Sequence, residues 1–136
     1  MVDQILDRIW IGDQQDAENE EIVKTFTVII NLNTRESKKE LELVKKYNVL
    51  YANFGRLFVA TGYLSGAYDA GKKILIHCEA GIDKSPFVVA VFLSMELNIS
   101  FAEAYGFVKE RHKQTIEHYE WIPKVPKGIK GRIDNP

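Results

Sequence analysis

The only cysteine of this chain, Cys78, lies in a segment whose residue types could carry out nucleophilic chemistry on an anion. Residues 77–86 run HCEAGIDKSP, between an apolar run that predicts a buried strand and a longer one that predicts a buried helix. Ser85 is a good N-cap for that helix, and Pro86 is a good first helical residue. Cys78 is therefore expected on a short loop between the end of a strand and the start of a helix.

The start of a helix is a favourable place for such chemistry. It offers free backbone N–H groups and the positive end of the helix dipole, and both attract anions. The same surroundings favour the thiolate, which is the nucleophilic form of a cysteine. Gly81 allows a tight bend that would let backbone N–H groups approach an oxyanion, although a simple turn would also explain it. A nucleophile inside an anion cradle predicts phosphoryl transfer through a covalent cysteinyl intermediate.

The pattern of His-Cys, five residues, a cation and then Ser resembles the signature loop of the cysteine-dependent protein tyrosine phosphatases. The compact size and the Ser-Pro ending are most similar to the dual-specificity branch. The similarity, which covers about residues 3–121, includes further segments: 5–12, 28–32, Glu103-Ala104 and Arg111. It implies an α/β fold, a protein tyrosine phosphatase-like single domain with a central, largely parallel sheet flanked by helices.

The resemblance also implies roles for the residues of the loop. Cys78 would attack phosphorus, the Lys84 ammonium would hold phosphate oxygens, and Ser85 would stabilise Cys78 as thiolate and as leaving group. Six backbone N–H groups would bind the same oxygens: Glu79, Ala80, Gly81, Ile82, Asp83 and Lys84. No cofactor is implied. A metal site is not predicted either, because His112 and His118 are too isolated in the sequence to suggest one.

Two positions depart from the family's pattern. Lys84 stands where the family has arginine, and a lysine keeps the charge without the two parallel N–H donors of a guanidinium. The family's general acid is an aspartate that falls within residues 51–58 of this chain, but no Asp or Glu occurs from Leu43 to Tyr68. Asn53 is in the aspartate's place and cannot donate a proton as an acid does. General acid catalysis contributes about 10²–10⁴-fold, so its loss would matter most for a poor leaving group.

Each of these residues has a structural interpretation beside the functional one. A lone cysteine at a strand end is often a small buried apolar residue, and Ser85 can act as a cap alone. His77 is expected to support the loop backbone. The carboxylates of Glu79 and Asp83 are expected to point outward to solvent or to backbone N–H groups, with replacement of the missing acid by one of them as the alternative. Arg56 is either an exposed helix residue or a second cation near Lys84.

Composition limits the function classes. The 136 residues fit one domain, 46% of them are hydrophobic, and the net charge of −1 gives no reason to expect nucleic acid or membrane as a partner. One cysteine excludes an intramolecular disulfide and suits a reducing compartment, and the N-terminus lacks the features of a signal peptide. A cytoplasmic protein is expected, acting on a phosphorylated protein or a small phosphomonoester. The oligomeric state is left open.

Apolar patterns and caps predict alternating strands and helices, as in a layered α/β domain. Strands are predicted at 8–11, 27–31, 49–52 and 74–77. Helices are predicted at 37–47, 57–70, from Pro86 to about 98, 100–112 and, as a short one, 117–122. Capping boxes are predicted at Ser37–Glu40 and Ser100–Glu103. The domain is expected to span residues 1–122, and residues 123–136 form a basic tail punctuated by Pro and Gly, expected to be extended or poorly ordered.

Three functions fit these features. The first is a cysteine-dependent phosphatase of reduced efficiency, which would favour aryl phosphates such as phosphotyrosine over alkyl ones. The second is a phosphate-binding pseudophosphatase that keeps the loop and has lost turnover. The third, sulfur transfer or arsenate reduction on a similar scaffold, is disfavoured by the Ser-Pro ending and by the N-terminal half of the chain.

Overall fold

The computed structural model describes residues 1–124, so all but the first two residues of the predicted tail, residues 123–136, lie outside them. The strands are β1 (Asp3–Leu6), β2 (Ile9–Gly12), β3 (Val28–Asn31), β4 (Leu50–Asn53) and β5 (Ile74–His77). The helices are α1 (Gln14–Ala17), α2 (Glu20–Val23), α3 (Lys38–Lys46), α4 (Leu57–Asp69), α5 (Lys84–Leu97) and α6 (Phe101–Arg111), followed by a 3₁₀ helix at Tyr119–Lys124. The four predicted strands and the order of the longer helices are confirmed.

The five strands form one sheet in the order β1-β2-β5-β3-β4. The β1–β2 pair is antiparallel and the other three pairs are parallel, which confirms the predicted, largely parallel sheet. His77 at the end of β5 is in register with Gly12 on one side and with Asn31 on the other. Because parallel strands end at the same edge of a sheet, the loops that follow β2, β3 and β5 meet beside Cys78.

Helices cover both faces of the sheet. Helices α4, α5 and α6 pack on the face that carries Ile74 and Ile76, while α2 and α3 pack on the face that carries Leu75. Helix α5 is buried from Ser85 to Ser94 because it contacts α4, α6 and β5. That placement explains why its sequence is apolar on every side. Among residues 1–124, no helix is long and apolar enough to cross a membrane.

The helix that carries the signature loop begins earlier than the sequence predicts. Its first residue is Lys84, and Asp83 occupies the N-cap position without a side-chain capping bond. The predicted capping role of Ser85 is therefore wrong, since Ser85 already lies inside the first turn. The predicted C-terminal end is confirmed, with Asn98 in the left-handed conformation at φ 52°.

The two predicted capping boxes have different outcomes. The Ser100–Glu103 box at the start of α6 forms with both of its bonds. At α3 only half of the box forms, because the Ser37 hydroxyl accepts from the Glu40 backbone N–H while the Glu40 side chain is directed elsewhere. The local pattern is correct for the helix start, but the carboxylate has a different partner in the folded chain.

Candidate active site

Cys78 follows β5 directly and is 5% exposed. The loop from Cys78 to Asp83 connects the end of the sheet to the first turn of α5, as the sequence predicts. Within it Glu79 and Ala80 are exposed, Gly81 is buried, and Ile82 and Asp83 are half-buried. The loop thus brings the predicted nucleophile and the predicted cradle residues together at the N-terminus of a 14-residue helix.

Gly81 fits this loop for two reasons. Its φ is +72°, a conformation that side chains with a Cβ rarely adopt, and a Cβ built there would lie 2.7 Å from the Gly12 carbonyl oxygen. The loop also rests on the start of α1, where the Gln14 backbone N–H donates to the Glu79 carbonyl oxygen at 3.0 Å. The glycine therefore allows the backbone to adopt a left-handed conformation and allows the loop to pack closely against the end of β2.

We expect Gly81→Ala to destabilise the protein by about 1–3 kcal/mol, because the alanine has both an unfavourable φ and a backbone clash. Urea denaturation measures the change. Gly62→Ala is the matched control, since Gly62 lies inside α4 and a Cβ added there would meet nothing within 4 Å. That substitution should stabilise the protein by about 0.5–1 kcal/mol. Equal effects of the two substitutions would contradict the assigned role of Gly81.

His77 forms a fully buried pair with Glu40 of α3. The Nε2···Oε2 distance is 2.6 Å, and both side chains are 0% exposed. The other ring nitrogen, Nδ1, lies 3.2 Å from the Cys78 carbonyl oxygen, and the Gln14 side chain donates to Oε1 of Glu40 at 3.0 Å. The expected structural role of His77 is confirmed, and its partner is the carboxylate missing from the α3 capping box.

The two other histidines of the chain also contact the signature loop. The Nε2 atom of His112 bonds to the Gly81 carbonyl oxygen, while its Nδ1 lies 2.7 Å from Oδ2 of Asp3. The Nε2 atom of His118 lies 2.7 Å from Oδ1 of Asp83. Sequence reasoning missed both residues, because they are more than 25 positions away from the loop and belong to no local motif.

The carboxylates of the loop point to other side chains. Asp83 pairs with His118, and Glu79 accepts a hydrogen bond from the Asn33 amide. The expected partners, solvent or backbone N–H groups, are therefore wrong, because both carboxylates contact side chains. Since each carboxylate is already held by another group, the alternative in which one of them replaces the missing general acid gains no support from the geometry.

Ser85 lies in the first turn of α5 and is fully buried. Among the described residues, its hydroxyl oxygen is the one buried side-chain polar atom without a hydrogen-bond partner. Buried polar groups are nearly always satisfied, and an exception points to strain or to a catalytic role. The hydroxyl is therefore available to a group that occupies the space beside the Cys78 loop.

Lys84 is half-buried and lines a cavity of about 450 Å³ between α4, α5 and the 3₁₀ helix. Arg56 contributes a second cation to the same cavity, so the structure brings these two predicted residues together. The rest of the lining is mainly apolar: Gly55, Leu57, Phe58, Thr61, Phe87, Val91 and Trp121. The cavity thus combines two positive charges with an apolar wall and has no carboxylate in its lining.

Asn53 ends β4, which is two strands away from β5 in the sheet. Asn53 is in register with Asn31, which is in register with His77. At the usual spacing of two strands, Asn53 therefore lies about 10 Å from the end of β5. The Asn53 amide donates to the carbonyl oxygens of Asn31 and Asn33, at 3.0 and 2.8 Å. In this arrangement Asn53 supports the loop after β3, and it is absent from the lining of the Lys84 cavity.

The sheet order and the Cys78 loop at the start of a buried helix define an α/β domain of the protein tyrosine phosphatase type. Residues 9–125 match the family model described as dual specificity phosphatase, catalytic domain. The chain therefore belongs to the dual-specificity phosphatase family, which confirms the resemblance seen in the sequence. No metal-binding group of three or more His, Cys, Asp or Glu side chains occurs in the part of the chain that the structure describes.

Named relatives agree with this assignment. Tyrosine-protein phosphatase vhp-1 of Caenorhabditis elegans is 27% identical over 131 residues, 89% of this chain and 20% of that protein. Dual specificity protein phosphatase 4 of Homo sapiens is 35% identical over 66 residues, 48% of this chain and 17% of that protein. The chain spans less than half the length of the curated relatives it matches.

Solved structures show the same fold. The crystal structure of Tk-PTP in the active form superimposes with a TM-score of 0.77 at 20% identity, covering 99% of this chain and 97% of that one. The crystal structure of PTPMT1 gives a TM-score of 0.76 at 16% identity, covering 98% and 96%. The predicted fold class is thereby confirmed over nearly the whole chain.

Proposed function

We propose that this domain is a cysteine-dependent phosphatase that hydrolyses phosphomonoesters, with aryl esters of the phosphotyrosine type favoured and with reduced efficiency. The observation that carries the proposal is the placement of Cys78, Lys84 and the unpartnered Ser85 hydroxyl around one helix start. A phosphorylated protein is the proposed substrate class, in keeping with the names of the relatives. A small aryl phosphomonoester would use the same site.

The reaction would proceed in two steps. The Cys78 thiolate attacks phosphorus, a sulfur–phosphorus bond forms, and the phosphorus–oxygen bond to the leaving group breaks with its electron pair on oxygen. Water then attacks the cysteinyl phosphate, and the electrons of the sulfur–phosphorus bond return to Cys78 as thiolate. Loop N–H groups and the Lys84 ammonium stabilise the charge on the phosphoryl oxygens. Ser85 donates to the sulfur as it leaves.

The proposed preference for aryl esters places the leaving group in the cavity that Lys84 lines, whose lining residues do not include Cys78. Its lining has no carboxylate that could protonate a leaving oxygen, and both donated bonds of the Asn53 amide go to backbone oxygens. An aryloxide departs as a stable anion without a proton, whereas an alkoxide does not. The apolar wall beside Lys84, which includes Phe87 and Trp121, is suited to an aromatic leaving group.

Steady-state hydrolysis of a series of phosphomonoesters tests the proposal, with leaving groups that range from p-nitrophenol to a simple alcohol. We expect turnover of p-nitrophenyl phosphate and a rate about 10²–10⁴-fold lower for the alkyl ester, since general acid catalysis usually supplies that factor. Equal rates for aryl and alkyl esters would show that an acid is present. Absence of turnover for every ester would contradict the phosphatase proposal.

A phosphate-binding pseudophosphatase is the second candidate. It is favoured by the position of Lys84, whose side chain lines an apolar cavity and lacks the fork of an arginine. In that case the domain would bind inorganic phosphate or a phosphopeptide without hydrolysing any ester. Binding of inorganic phosphate, measured by calorimetry in parallel with the ester series, distinguishes this candidate from a domain that has lost the anion site altogether.

A further inference from the structure

The segment that follows α6 forms hydrogen bonds with three successive residues in the C-terminal half of the signature loop. His112 bonds to the Gly81 carbonyl oxygen through Nε2. The Ile116 backbone N–H donates to the Ile82 carbonyl oxygen at 2.8 Å, and His118 lies 2.7 Å from the Asp83 carboxylate. The conformation of the loop therefore depends on residues that are about 30 positions further along the chain.

His118 sits at the last of these points, between two carboxylates. Its Nε2 faces Oδ1 of Asp83 and its Nδ1 faces Oε2 of Glu120, each at 2.7 Å. Ionised carboxylates only accept hydrogen bonds, so the two contacts together require an N–H on both ring nitrogens. The ring also stacks on Trp121, with centroids 3.9 Å apart and an interplanar angle of 5°. This environment fits an imidazolium cation, which is attracted to an aromatic face.

The negative charge of Asp83 is unfavourable for anion binding, and the His118 imidazolium neutralises it. It is the N-cap residue of α5, yet its side chain makes no capping bond and is instead directed to His118. A bare carboxylate next to Lys84, at the mouth of a site for a dianion, would repel the ligand. An imidazolium bound to that carboxylate cancels its negative charge. The same contact holds the carboxylate on the side of the 3₁₀ helix.

We propose that His118 is a positioning residue that acts through Asp83, so that the signature loop binds dianions tightly only while His118 is protonated. The inference rests on the proposed anion-binding function of the loop. It adds a specific requirement to that function, namely that a histidine from the C-terminal segment controls the charge at the start of α5. His118 itself does not contact the substrate.

The charges around His118 determine the direction of the pH dependence. Burial alone would lower the pKa of His118, but hydrogen bonds to Glu120 and Asp83, with the attraction of both charges, outweigh it and raise the pKa above its ordinary value. Other titratable or charged groups nearby include Lys84 next to Asp83 and Tyr105, whose hydroxyl accepts from the His118 backbone N–H. Glu117 lies on the same segment and accepts hydrogen bonds from Lys109 and Tyr119. As the pH rises through that raised pKa, the cation is lost and anion affinity should fall.

Sulfate is the probe of choice because it remains a dianion across the pH range of interest. Binding is measured by calorimetry from about pH 5.5 to pH 8.5, a range that brackets ordinary histidine titration. The parent protein carries Cys78→Ser, which removes any contribution from thiolate titration. We expect sulfate affinity to fall about threefold to tenfold with rising pH, the size expected for one charge a few ångströms away when water screens it fully, since His118 and Asp83 are 20% and 44% exposed.

Two further substitutions in that parent separate the electrostatic role from a merely structural one. His118→Gln should bind sulfate weakly at every pH, with a much flatter pH profile. Asp83→Asn should also flatten the profile but should bind more tightly than the parent at high pH, because the repelling charge is gone. If the pair only holds the loop together, Asp83→Asn should instead weaken binding at every pH, and the inference is then wrong.

The remaining outcomes are also decisive. An unchanged pH profile in His118→Gln would overturn the inference while leaving the anion site intact. No sulfate binding by the Cys78→Ser parent at any pH would overturn both the inference and the proposed anion site. If His118→Gln does not fold, as judged by its thermal transition, the comparison of Asp83→Asn with the parent still decides the question.

Discussion

Replacing Cys78 by serine should abolish turnover of p-nitrophenyl phosphate, with kcat/KM lower by about 10⁴–10⁶-fold. Losses of this size are found when the nucleophile of a covalent mechanism is removed. The physical reason is that a serine hydroxyl at neutral pH is a far weaker nucleophile than a thiolate. The two carboxylates of the loop are held by other side chains, Glu79 by Asn33 and Asp83 by His118. His77 is not placed to act as a base for the serine hydroxyl, because its Nε2 is bonded to Glu40 and its Nδ1 faces the Cys78 carbonyl oxygen.

The same variant should still bind inorganic phosphate. The loop N–H groups, Lys84 and the start of α5 are unchanged by the substitution, and Ser is smaller than Cys in a site that is 5% exposed. Thermal denaturation and phosphate calorimetry are the controls for an intact site. If Cys78→Ser retained the turnover of the unmodified chain while binding phosphate, a cysteinyl intermediate would be excluded and hydrolysis would have to proceed by direct attack of water.

Much of the fold follows from local sequence patterns. Apolar runs such as residues 28–30 and 74–76 are buried on both faces of a parallel sheet, and such strands appear in the sequence as continuous rather than alternating apolar segments. The capping box at Ser100 marks the start of α6 because both of its partners are within one turn. The short elements β1, α1 and α2 are not predicted from the sequence, because their segments DQIL, QQDA and EEIV hold at most two apolar residues each. The four predicted strands are equally short, but most of them are continuous apolar runs.

The sequence predicts only those residues of the site that are close together along the chain. The signature loop, with its nucleophile, its glycine and its cation, is contained in ten consecutive residues and could be recognised directly. His112, His118 and Glu40 act on the same loop from distant positions, and their types and spacing carry no signal without the tertiary structure. Glu40 shows the difference most clearly, because the local pattern assigns its carboxylate to a capping box while the fold pairs it with His77.

That pairing leads to the largest expected effect on stability. Glu40→Ala should destabilise the protein by about 3–5 kcal/mol, as measured by urea denaturation, because it leaves the His77 ring without its hydrogen-bond partner and opens a cavity in a site fully excluded from solvent. The substitution also removes the acceptor of the Gln14 side-chain amide. Since His77 contacts the Cys78 carbonyl oxygen, we expect phosphate affinity to fall as well.

Two comparisons separate the buried pair from a general effect of helix substitution. Glu42→Ala, at an exposed position of the same helix, should change stability by less than about 0.5 kcal/mol. The double variant Glu40→Leu with His77→Leu should recover most of the lost stability, because replacing both partners of a buried polar pair by apolar side chains can be nearly neutral or stabilising. It should not recover phosphate binding, since leucine cannot bond to the Cys78 carbonyl oxygen. If the double variant restored both properties, the pair would have no role in shaping the loop, and its contribution would be limited to filling the space between α3 and β5.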